Sequence, residues 1–287
     1  MGRCMRPGYG RDRILRGGWG RGRHAVAVGA LLTLLFPGPV AGSEAPVLED
    51  GGTTEKVVAI TIDDGYRPDL CVAMANVLRE KGATATFFPV VRNVENSPRP
   101  WKRIARDFPV ANHTMFHAIL PPLDERTIRK QISTGRRVLE RILGDGAANE
   151  FRAPGGSTSP LVREIVRDEG YRRISGWDTT TADTSLNGKA SGMIRNALRG
   201  GRGSIILMHC NREVSLEILP AIIDGYRERG FRFVTITELF DGPQAAGGWL
   251  RDTGGVPGDD TAITEEPRPR RAVAPPSPRR FGFFRPL

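Results

Sequence analysis

Two carboxylates, three histidines and an arginine each fall where an apolar run of the sequence gives way to polar residues. Asp63 and Asp64 close the run Val57-Val58-Ala59-Ile60-Thr61-Ile62 and are followed by Gly65. Adjacent residues leaving a strand point to different sides, so one carboxylate can bind a cation while the other accepts a proton. The plainer reading of the pair is an Asp-Gly turn. Three of the four histidines also stand at expected strand ends: His113 and His117 after Phe108 to Ala111, and His209 after Ser204 to Met208. Taken singly, each reads as an ordinary surface or core histidine; three on one face by accident is a much rarer event. His113 and His117 are four apart, so a helical turn or a tight loop brings both to one ion, and one carboxylate completes a three-ligand set. Such a set suits a catalytic Zn²⁺ that activates water. It equally suits Fe(II) in an oxygenase. A second carboxylate, Arg152 and a third histidine are left over, and these supply a base, its tether and an acid, which favours hydrolysis.

The elements that must position these groups alternate. Val57 to Ile62 reads as a buried strand, Pro68 to Glu80 as a helix with Pro at its start, and Ala83 to Val90 as a second strand. Asp124 should cap a long helix that Gly144 stops, and Ser159-Pro160 should open another over Leu161 to Glu169. Tyr171 to Trp177 is expected as a strand, Asp178 to Gly188 as a polar loop, Val214 to Arg229 as an amphipathic helix and Phe231 to Thr237 as the last strand. About seven strands separated by helices imply an α/β fold with parallel pairing, in a single domain of the (β/α) barrel type; a doubly wound open sheet is the alternative. In either fold the strand C-termini share one face. Asp63, Asp64, His113, His117, Arg152, Asp178, Asp183 and His209 would therefore meet at one mouth.

The 287 residues also divide by composition. Residues 1–24 hold seven arginines against one acid and precede the apolar run Ala25 to Phe36 and the small residues Val40-Ala41-Gly42-Ser43. This is the pattern of a secretory signal peptide over 1–42, with an uncleaved anchor as the alternative. The run is shorter than the roughly 20 residues that span a bilayer. Much of the net charge of +10 belongs to that leader, and arginine excess elsewhere gives no case for nucleic-acid binding. Residues 43–56 read as a linker, 57–240 as the catalytic domain and 241–287, rich in Gly, Pro and Arg, as a disordered tail. Cys71 and Cys210, which remain once Cys4 leaves with the leader, are either one disulfide or two free thiols.

From Val57 to Phe240 the chain resembles the polysaccharide deacetylase family, also called carbohydrate esterase family four. Thr61-Ile62-Asp63-Asp64-Gly65 is similar to its first motif, His113-Thr114-Met115-Phe116-His117 to the second, Arg152-Ala153-Pro154 to the third and Leu207-Met208-His209 to the fifth. Ala85-Thr86-Phe87-Phe88 is similar to the strand that usually follows the first motif. The resemblance implies a distorted (β/α) barrel. It implies a divalent metal on Asp64, His113 and His117, with Zn²⁺ first and Co²⁺ able to substitute. Asp63 would be the general base, Arg152 its tether and His209 the acid that protonates the leaving amine. The Gly155 N–H would stabilise the oxyanion, Leu207 would line the pocket for the acetyl methyl and Trp177 would contact the glycan. Asp183 would orient His209, with Asp178 behind it.

The fourth motif departs from the family pattern of two aspartates followed by Trp: here Thr180-Thr181-Ala182-Asp183-Thr184 stands in its place. Thr184 and Gly155 each remove an aromatic wall from the groove, and Ile62 replaces a usual Phe. The expectation is a secreted or envelope-associated deacetylase of N-acetylated glycans, peptidoglycan or a chitin-like polymer, that meets the membrane only through export. An esterase of O-acetylated xylan and a silent wall-binding protein of the same fold are the alternatives.

Overall fold

The computed structural model describes residues 44–243. The leader, and the tail beyond 243, lie outside the described residues. A two-residue strand β1 (Val47–Leu48) comes first, followed by the central strand β2 (Val57–Asp64) and helix α1 (Pro68–Glu80). Strand β3 (Ala85–Pro89), helices α2 (Val91–Asn96) and α3 (Pro98–Ile104), strand β4 (Val110–Asn112) and the long helix α4 (Glu125–Leu143) come next. Then β5 (Ala147–Phe151), α5 (Pro160–Asp168), β6 (Ile174–Ser175), β7 (Thr179–Thr180) and α6 (Ala190–Ala197) lead to β8 (Ile205–His209). Helix α7 (Glu213–Glu228), β9 (Arg232–Phe233) and α8 (Ile236–Asp241) end the described chain.

Seven strands form one sheet in the order β5-β4-β3-β2-β8-β7, with β9 on β2, and all its pairings are parallel. The expected (β/α) barrel is present and it is distorted. β2 pairs with β9 through Val57 and Val58 and with β3 from Ile60 onward, so that flank of β2 is shared between two strands. Being buried on both faces, β2 is apolar along most of its length rather than alternating. Val57 and Ala59 join Phe88, Ala111, Ile205 and Val234 inside the barrel. Val58, Ile60 and Ile62 face outward, into a layer that Met74 and Leu78 of α1 share with Leu219 and Ile222 of α7.

Helix ends follow the sequence signals. The Asp124 side chain accepts from the Thr127 N–H at 3.0 Å to cap α4, and Ser159 does the same for Val162 at 3.3 Å to cap α5. Three expectations are corrected. The segment read as a linker belongs to the fold: β1 pairs in parallel with β6, and Ala45 is fully buried. The last strand is only Arg232–Phe233, because Thr235 accepts from the Glu238 N–H and starts α8 at Ile236. The tail does not begin at Asp241, which closes α8 and is paired with Arg173 at 2.7 Å. Cys71 and Cys210 form a disulfide. Among the described residues no helix is long and apolar enough to cross a membrane.

Candidate active site

The register of the sheet brings the polar strand ends to one level. Asp63 lies opposite His209 on β8 and Phe88 on β3, and Asn112, just before His113, lies opposite Phe151, just before Arg152. Asp63 continues the inward face of β2 above Thr61. Asp64 has a left-handed backbone, with φ 69°, and turns its carboxylate toward the histidines. After β4 the chain folds into a tight turn, with Thr114 at φ 63° and His117 at φ 59°. Asn112 Oδ1 accepts from the Thr114 N–H at 2.9 Å and Thr114 Oγ1 accepts from the His117 N–H at 3.0 Å, which holds that strained turn.

His113, His117 and Asp64 converge. His117 Nε2 is 3.2 Å and His113 Nε2 3.6 Å from Asp64 Oδ1, and one donor atom from each residue lies within 4.8 Å of the others. His113 Nδ1 is 3.0 Å from the Arg152 carbonyl oxygen, so Nδ1–H donates there and the Nε2 lone pair faces Asp64. Asp64 Oδ1 is buried without a hydrogen-bond donor. An orphaned carboxylate oxygen between two imidazoles fits a divalent cation. Burial would raise the Asp64 pKa, but the imidazoles of His113 and His117 beside the carboxylate outweigh it and hold it well below the usual carboxylate range.

Arg152 is fully buried and divides its guanidinium among four acceptors. Nη1 reaches Asp63 Oδ1 at 2.8 Å and Thr61 Oγ1 at 2.7 Å, while Nε and Nη2 reach the carbonyls of Ser175 at 2.9 Å and Gly176 at 2.8 Å. On the other side of Asp63, Asp183 accepts from His209 through both oxygens, from Nδ1 at 2.9 Å and from the backbone N–H at 2.8 Å. Ser215 donates to Asp183 Oδ2 at 2.6 Å and Arg212 to its carbonyl at 2.8 Å. Burial would depress the His209 pKa, but Asp183, with the charges of Asp63 and Asp64, outweighs it and raises it.

Other expected residues divide. Leu207 lies at the level of Thr61, one inward step below His209. Gly155 is exposed in a turn where Gly155 and Gly156 both have left-handed backbone, φ 62° and 66°. Trp177 packs over Arg152, whose Cζ lies 5.5 Å from the indole ring, and lines a cavity of about 270 Å³ with Gly155, Gly156 and Glu49. Asp178 is a correction: it does not stand behind His209. Its carboxylate accepts from Ser204 Oγ at 2.7 Å and the Ile205 N–H at 2.8 Å, at the opposite end of β8 from His209. Sequence reasoning missed Asn112, Asn211 and Ser215, although the first two are polar residues within two positions of a site histidine.

Comparison with known proteins agrees with this geometry. The polysaccharide deacetylase family model matches residues 50–174. A peptidoglycan-N-acetylglucosamine deacetylase of Bacillus cereus is 28% identical over 64% of this chain and 88% of its own length. A chitooligosaccharide deacetylase of Azorhizobium caulinodans is 34% identical over 61% of this chain and 90% of its own length. The crystal structure of a pseudoenzyme of the same family from Bacillus anthracis superposes with a TM-score of 0.62 at 25% identity, covering 70% of each chain. With the motifs, the parallel barrel and these relatives in agreement, the chain belongs to the polysaccharide deacetylase family.

Proposed function

We propose that the protein is a secreted, Zn²⁺-dependent hydrolase that removes acetyl groups from N-acetylated glycans, with peptidoglycan or a chitin-like polymer as substrate. The observation that carries the reading is the meeting of Asp64, His113 and His117 beside two further devices, Arg152–Asp63 and Asp183–His209. Asp64, His113 and His117 would hold a Zn²⁺, or Co²⁺ in its place, which would supply Lewis acidity toward a water and the acetyl carbonyl. Asp63, held by Arg152, accepts the proton of the attacking water. The Gly155 N–H would stabilise the developing oxyanion, and Leu207 would line the pocket for the acetyl methyl. His209, whose pKa Asp183 raises, would give its proton to the departing nitrogen. The names of the Bacillus cereus and Azorhizobium relatives support the substrate class.

Two other readings compete. Thr184 and Gly155, small where the family carries aromatics, support an esterase of O-acetylated xylan, and the likeness to a pseudoenzyme supports a catalytically silent wall-binding protein. The complete base, tether and acid speak for an enzyme. Acetate release from N-acetylglucosamine oligomers, peptidoglycan and acetylated xylan, with Zn²⁺ supplied, separates the three. Release from the first two that stops with a chelator is expected; release from xylan alone selects the esterase, and none from any substrate selects the binder.

A further inference from the structure

Asn211, the second residue past His209, has no part in the chemistry above, yet both ends of its amide are committed. Nδ2 donates to Asp64 Oδ2 at 2.8 Å, and Oδ1 accepts from the Tyr66 N–H at 3.2 Å. The amide therefore spans the turn that leaves β2, from Asp64 across Gly65 to Tyr66. With Oδ2 engaged, the carboxylate cannot rotate freely, and Oδ1 stays aimed at His113 and His117. A neutral amide does this without offsetting the negative charge that a cation needs, as Arg or Lys would.

The loop that carries Asn211 is itself fixed on both sides. Cys210 is bonded to Cys71 in the first turn of α1, and Arg212 donates to the carbonyls of Asp183 at 2.8 Å and Ser185 at 2.6 Å. Since β2 and β8 are neighbours, the disulfide joins the segments that follow two adjacent strands, one bearing Asp64 and the other Asn211.

We propose that Asn211 is a positioning residue that sets the Asp64 carboxylate for metal binding, and that the Cys71–Cys210 bond holds Asn211 in place. The inference rests on Asp64, His113 and His117 being the metal ligands. The test is a Zn²⁺ titration of the metal-free protein against a chromogenic chelator, with the thermal midpoint of each metal-free variant measured alongside. Asn211→Ala should weaken Zn²⁺ binding about 10- to 100-fold, the usual effect of losing an outer hydrogen bond to a ligand, with little change in the metal-free midpoint. Asp178→Asn, which loosens the far end of β8, should lower the midpoint and leave Zn²⁺ affinity as it is. The double variant Cys71→Ser, Cys210→Ser should lose affinity as Asn211→Ala does, and combining the changes should cost little more, because they act through one contact. Wild-type affinity in Asn211→Ala overturns the proposal while the ligand set stands. A wild-type protein that binds no Zn²⁺ overturns both.

Discussion

Asp63 and Asp64 are neighbours in the chain to which the proposed mechanism gives different duties, base and metal ligand, and the left-handed backbone of Asp64 separates them. Asp63→Asn should keep Zn²⁺ and lower turnover by about 10²- to 10⁴-fold, the range for losing a general base. His117→Ala should lose the metal instead; equal metal loss in both variants would refute the assignment. His209 carries a pH prediction. A proton donor must be protonated, so activity should fall as pH rises through its raised pKa. Asp183→Asn removes the partner that raises it, and the alkaline limb of the rate profile should move to lower pH; an unmoved limb would detach His209 from that limb. The same shift stabilises the fold: its contribution is full below the unfolded value of about 6.5 and is lost as pH rises through the higher folded value.

Among the elements, β2, α1, α4, α5, β8 and α7 were legible because each is long enough to show a period or carries a cap. The two-residue strands β1, β6, β7 and β9 have no period to read, and their pairing comes from tertiary contacts. The start of α8 did have a signal, the Thr235-Ile236-Thr237-Glu238 capping sequence, which the apolar run before it concealed. Site residues at strand ends were legible because parallel strands bring their C-termini to one face; Asp178 misled because it stands just before β7, at the N-terminal end of β7 and of its parallel neighbour β8. Arg152 shows what sequence could not reveal, since its contacts with the Ser175 and Gly176 carbonyls attach β6 to the strands around Asp63. Arg152→Met should therefore cost about 3–5 kcal/mol of stability, the range for breaking a buried ion pair, as well as activity. Denaturant unfolding checks it, and an unchanged midpoint would confine Arg152 to catalysis.

For the molecule as a whole, the Cys71–Cys210 bond spans 139 residues and ties the segments after β2 and β8 together. Chain entropy gives such a closure about 5 kcal/mol, so replacing both cysteines by serine should lower the unfolding midpoint markedly; an unchanged midpoint would show that packing alone holds those segments. The mouth of the site is shaped differently, by main chain. A side chain at Gly155 or Gly156 meets left-handed backbone, which costs roughly 1–2 kcal/mol, and at Gly156 its Cβ would also come within 2.9 Å of the Trp177 ring. Descendants of this sequence would thus find that turn hard to fill with side chains by single mutations. Tyr66, Phe116 and Ile119, all exposed, are freer to vary, and drift in substrate preference should be recorded there first.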